Sequence, residues 1–174
     1  MRGFVIAIGV AALAAGVVVL RKDAPGGIGR VWELVGPADQ GRVDFAHLAR
    51  RPGRNDALVC PAAFCAAPVD LIPPRYAATA DELLATLRSL ILANPDARLA
   101  ASSADELRDR YVVRTPLMRF PDTVEAVALP AGEGGATLAI YSRSLVGSSD
   151  FGVNLKRVKG WLADPRLVKL QAAD

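Results

Sequence analysis

"TVEAVALPAGEGGATLAIYSRS", residues 123–144, decides the fold. "TVEAVALP" reads as one strand, "AGEGG" as a hairpin turn, and "ATLAIYSRS" as the returning strand, with Leu138 and Ile140 facing one way. Upstream, "LRDRYVVRTPLM" alternates, placing Tyr111, Val113, Thr115 and Leu117 on one face, and "SADE" turns the chain from the short strand "ARLAAS". Further back, "TADE" is a capping box in which Thr79 caps a helix and Glu82 reaches back to it. Leu83, Leu84, Leu87, Leu90 and Ile91 give that helix its apolar stripe, and Asn94-Pro95 stops it. Downstream, Phe151, Leu155, Val158 and Leu162 form a second helical stripe, with Lys156, Arg157 and Lys159 off it. The order predicts an α+β domain: an antiparallel sheet of about four strands, with helices packed on one face.

The 174 residues leave room for one such domain behind a separate leading segment. "FVIAIGVAALAAGVVVL", Phe4 to Leu20, is 17 residues without a charge or a polar face. As a helix it covers about 25 Å, near the lower limit for crossing a hydrocarbon core. The only Ala-x-Ala stretch, Ala12 to Ala14, lies inside this run, and bulky and charged residues follow it, so a retained transmembrane helix is expected rather than a cleaved signal. The chain thus divides into a membrane anchor over 1–22, a Pro/Gly-rich spacer over 23–42 and an α+β domain over 43–174.

Composition excludes one class of partner. Arg2, Arg21, Lys22 and Arg30 against Asp23 account for the whole net charge of +3, and the remainder balances 17 basic with 17 acidic residues. The pI near 9.1 therefore reports membrane flanks, and no nucleic-acid surface is expected. Residues 22–75 hold seven of the twelve prolines. In this region "VWELV" is expected as a brief ordered patch on something apolar, and "RVDFAHLAR" as one or two helical turns burying Phe45 and Leu48, with His47 exposed. "RPGRNDALVCPAAFCAAPVDLIPPRY" is expected as extended, proline-stiffened chain lying across the domain. Cys60 and Cys65 are spaced for a small disulfide loop or stand as two buried thiols; too few Cys and His accompany them for zinc.

The loop after the last strand, "SRSLVGSSDFGVN", concentrates the remaining polar signals. As structure, Gly147 turns the chain, Ser149 or Asp150 caps the helix, Gly152 allows close approach, Asn154 ties the loop to the sheet and Arg157 neutralises Asp150. As chemistry it is incomplete. "GSSDFG" is one residue longer than a nucleophile elbow, no histidine follows, and Lys156 is the one candidate base. A paired-carboxylate site would need Asp122 or Glu125 brought to Asp150 by the fold. No phosphate loop, dinucleotide fingerprint or metal triad is present, so no cofactor is expected.

"RPGRNDALVCP", "FPDTVEAVAL" and "SRSLVGSSDFGVNLKRV", in that order, resemble the bacterial family called domain of unknown function 1499, over about residues 43–164. The resemblance implies a signature close to Ser-Arg-x-Gly-x-Ser-Asp-x-Gly-x-Asn-x-x-Arg, carried here by Ser144, Gly147, Ser149, Asp150, Gly152, Asn154 and Arg157. Leu145 stands where the pattern has arginine, and Arg143 lies two places earlier. Family members with a leading membrane segment or export signal imply an envelope location. The expected function is a single-pass inner-membrane protein acting as a non-catalytic binding or interaction module for a lipid, an envelope polymer or a membrane-protein partner. Its domain is expected on the periplasmic or extracytoplasmic side. The alternatives are a hydrolase centred on Ser149 and Asp150, and a cytoplasm-facing domain, which the Lys/Arg excess after the apolar run favours.

Overall fold

The structure is a computed structural model and describes residues 27–50, 53 and 55–172. The apolar run Phe4–Leu20 lies outside them; among the described residues no helix is long and apolar enough to cross a membrane. A short helix α1 (Ile28–Val31) runs into a 3-10 turn (Trp32–Leu34), and β1 (Asp56–Val59) follows. Then come α2 (Ala80–Leu92), β2 (Ala97–Ser103), β3 (Arg108–Arg114), β4 (Pro121–Pro130), β5 (Ala136–Ser144), α3 (Val153–Leu162) and α4 (Pro165–Val168). The sheet is antiparallel throughout, in the order β1-β5-β4-β3-β2.

The central hairpin forms where its pattern places it. Gly132 and Gly134 take positive φ (67° and 62°), and the Arg75 guanidinium clamps the turn by donating to the Ala131 carbonyl (2.7 Å) and the Glu133 carbonyl (3.1 Å). A Cβ at Gly135 would meet the Arg75 guanidinium at 2.8 Å and the Ala131 carbonyl oxygen at 3.0 Å, so a side chain there would displace the clamp. The reciprocal capping box of Thr79 and Glu82 starts α2, and Leu83, Leu84, Leu87, Leu90 and Ile91 bury against the sheet. Each fully buried side chain of this size contributes about 1.5–3 kcal/mol, which makes this face the main source of stability.

Two expectations are corrected. The sheet has five strands, not four: Asp56–Val59, expected as extended chain lying across the domain, pairs with β5. All four of its residues are buried, so no alternation marks it as a strand. "RVDFAHLAR" forms a turn and extended chain rather than helix. The Val43 N–H there donates to the Glu125 carboxylate (2.9 Å), so its backbone is satisfied by the sheet's side chains. Phe45 is buried and His47 exposed on this turn.

Helices cover one sheet face. Irregular chain on either side of β1, residues 38–50 and 60–70, covers the other, packing Val43, Phe45 and Cys60 against Leu58, Val127, Ala139 and Tyr141 of the sheet. Cys60 and Cys65 are joined by a disulfide within that layer. The part of the expected spacer that is described packs on the domain: Arg114 donates to the Gly29 carbonyl (2.9 Å), Trp32 to the Met118 carbonyl (2.7 Å), and Asp39 pairs with Arg110 (2.6 Å). The Trp32 and Phe120 rings lie 4.5 Å apart, which is the apolar contact that orders "VWELV".

Candidate functional site

The loop between β5 and α3 is built from short-range polar contacts. Gly147 turns the chain at φ 89°, and the Ser149 hydroxyl accepts from the Phe151 N–H (3.2 Å). Asp150 accepts three hydrogen bonds: from the Gly152 N–H (2.9 Å), the Asn154 N–H (2.7 Å) and the Asn154 side-chain amide (2.7 Å). It therefore caps α3 from two residues ahead of Gly152, the residue at the helix start. Phe151 and Gly152 both take left-handed backbone, at φ 54° and 78°. Glycine bears this without cost, whereas phenylalanine is strained. The turn throws Phe151 outward to 96% exposure, so it is not part of the helical stripe; the buried face of α3 is Asn154, Val158 and Leu162.

Behind the loop lies a buried polar network. The Asn154 side chain, wholly buried, donates to Asp150 and to the Ser144 hydroxyl (2.9 Å), and accepts from the Ser142 hydroxyl and Arg157 (2.8 Å). The Ser144 hydroxyl donates to Asp122 (2.6 Å), and Arg157 donates to the other oxygen of Asp122 (2.6 Å). Asn55, just ahead of β1, closes the ring by donating to the Gly147 carbonyl (2.6 Å). Arg157 thus neutralises Asp122 rather than Asp150. The side chains are 13% and 2% exposed, so this is a buried ion pair.

The fold brings Ser144, Asp150, Asn154 and Arg157 together and uses Gly147 and Gly152 as turns. It sends Arg143 elsewhere. Side chains alternate along β5, so Arg143 shares the face of Tyr141 and donates to the carbonyls of Gln40 (3.0 Å) and Gly41 (2.8 Å) on the far side of the sheet. It does not replace the arginine expected at Leu145. Ser142 and Asn55, which sequence reasoning missed, complete the network from β5 and from just ahead of β1; Asp122, a carboxylate offered as a partner for Asp150, enters from β4 and meets Ser144 and Arg157 instead.

The family model described as "Protein of unknown function (DUF1499)" matches residues 48–164, about two thirds of the chain. The chain belongs to this family. No curated protein matches it. The matched region runs from ahead of β1 to just past α3, so every residue of the polar network lies within it.

In this DUF1499 chain the Asp150–Gly152 turn is a ridge between two clefts. One, of about 610 Å³, has walls of Leu117, Met118, Phe120, Val146, Phe151 and Val153 and a polar floor of Asp122 and Ser144. The other, of about 470 Å³, is lined by Leu155 and by Arg50, Asp56 and Asp70. Burial works against the charge of Arg50, but its ion pairs to Asp56 (2.6 Å) and Asp70 (2.9 Å) outweigh it and push the guanidinium pKa up. Among the described residues no three His, Cys, Asp or Glu side chains gather to hold a metal ion.

Proposed function

We propose that this DUF1499 protein is a single-pass, membrane-anchored, extracytoplasmic binding module, without catalytic activity, that takes the apolar part of a ligand into the groove between residues 115–120 and 144–153. The observation that carries this reading is the groove itself: nearly all its walls are apolar, yet its floor is Asp122 and Ser144 of the buried polar network, inside the family-matched region. Apolar clefts with a few convergent polar groups are where ligands bind, and a lipid-like molecule fits this one better than a polar envelope polymer. The disulfide supports an oxidising, extracytoplasmic side.

The network supports binding over chemistry. Asp150 spends its carboxylate on N–H groups, Asp122 is held by Ser144 and Arg157, and Ser149 faces its own backbone. No described contact gives Ser149 a base, which weighs against a hydrolase. The test is titration of the purified chain with a fluorescent fatty acid. Saturable binding that is lost in a Leu117→Ser/Phe151→Ser variant with an unchanged melting temperature is expected. Unchanged binding in that variant would refute the groove as the site, and turnover of an ester probe that depends on Ser149 would refute the non-catalytic reading.

A further inference from the structure

The groove mouth is the centre of a wider apolar rim. Leu117 is 69% and Phe151 96% exposed, and across the Trp32–Phe120 contact stand Leu34 at 89% and Val35 at 61%. Met118 and Val153 line the groove and Val31 ends α1; the remaining exposed large hydrophobics among the described residues, Ile72, Leu92, Leu99 and Val168, are scattered over different elements. All parts of the rim lie at one end of the sheet, where β3 ends, β4 begins and β5 ends. Exposed apolar side chains gathered at one end of the fold in this way mark a docking site.

The chain itself says what covers it. The described residues begin beside the rim, at Gly27, and the apolar run ends at Leu20. Eight steps from Leu20 to Ile28 span at most about 29 Å fully extended. The ten residues of β4 carry the sheet about 33 Å away from this end, to the Ala131–Gly135 hairpin. A tether shorter than the sheet keeps the rim, and not the hairpin, next to the bilayer. Charge agrees. Beside α1 a cleft of about 310 Å³ is lined by Arg30, Arg98, Arg114 and Arg119 against Glu33 and Asp96; Arg30 and Arg114 pair with Glu33 and the buried Arg119 with Asp96, which leaves an excess of two positive charges. Apolar side chains flanked by arginines are the pattern of a surface seated in an anionic lipid interface. Asp150, the carboxylate at the ridge, has its oxygens committed to N–H donors.

We infer that this rim docks on the surface of the bilayer holding the chain's own anchor, seating Phe151, Leu117 and Leu34 in the headgroup–acyl boundary so that the groove opens directly into lipid. The inference rests on the membrane-anchored reading above and adds the orientation and the source of the ligand.

The full chain, reconstituted into phosphatidylethanolamine–phosphatidylglycerol vesicles with brominated acyl chains, tests it. Phe151→Trp places a fluorophore on the rim, and Glu133→Trp places one on the exposed far hairpin; the emission of Trp32 and Trp161 in the parent chain is subtracted. The expected result is that the rim probe loses most of its emission to bromine and the hairpin probe loses none. Alkaline washing of the same vesicles separates the two ideas. If the chain stays in the vesicles but the rim probe is unquenched, or both probes are quenched alike, the end-on docking is overturned and the anchor stands. If alkali releases the chain, the anchor and the docking fall together.

Discussion

Arg157→Met removes the cation that faces Asp122 within the network while keeping an unbranched stem in place of the arginine's methylenes. Asp122 is 2% exposed on its side chain and would be left as a buried, uncompensated carboxylate. Breaking a buried pair in this way costs about 3–5 kcal/mol, against about 0–1 kcal/mol for the exposed pair that an Asp150–Arg157 contact would have been. For a chain of this size about 3–5 kcal/mol lowers the melting temperature by about 6–20 °C. Adding Asp122→Asn removes the stranded charge and keeps an acceptor for the Ser144 hydroxyl. The double variant is therefore expected to recover most of the loss, leaving about 1–2 kcal/mol for the bonds Arg157 made to Ser142 and Asn154. Thermal melts of the parent, both single variants and the double form the cycle. A cost below about 1 kcal/mol for Arg157→Met, or a double variant no better than the single, would refute a buried pair that holds the corner together.

Phe151→Asn is expected to raise stability by up to about 1 kcal/mol, because asparagine tolerates the left-handed backbone and almost no burial is lost, while fatty-acid binding falls. A destabilised variant would show that the Phe151 side chain supports the fold. Stability against pH should fall at both ends. The hydrogen bond from Arg110 holds the Asp39 carboxyl below its ordinary value; at Asp109 burial pushes up, but the bonds from Arg88 and Tyr111 win and the value is again depressed. Both contribute stability that is present above pH about 4 and lost as pH drops through their folded values; Arg88→Gln should flatten this acid limb. Burial pushes Tyr76 up to about 12, so its contribution is intact below pH about 10 and lost as pH rises toward 12, which tyrosinate absorbance during an alkaline titration will follow. A C-terminal alkaline phosphatase fusion should be active, and Cys60 and Cys65 should resist alkylation until reduced; an inactive fusion with free thiols would put the domain in the cytoplasm. Loss of this short disulfide loop should cost less than the ~3 kcal/mol of a ~15-residue loop.

The sequence by itself determined the elements whose signals are local. The Thr79–Glu82 box, the α2 stripe and the glycine hairpin need only neighbours within a few residues, and each stands where its pattern put it. The signature loop was legible for the same reason, since Asp150 satisfies N–H groups at positions 152 and 154. What the tertiary structure alone decided depends on partners far along the chain. Asp56–Val59 becomes a strand because β5 offers it an edge and both its faces are covered, which erases the alternation that would have announced it. Arg157 chooses Asp122, 35 residues away, over Asp150, seven residues away, because Asp122 is brought in at the start of β4 beneath α3 while Asp150 is consumed by the helix start. The same register turns Ser142 and Ser144 to the network and Arg143 to the opposite face. The rim exists only where the 3-10 turn, the β3–β4 loop and the β5–α3 loop meet at one end of the sheet. Leu34, Leu117 and Phe151 come from three separate stretches of the sequence, far beyond the reach of any local pattern, so none could have joined them.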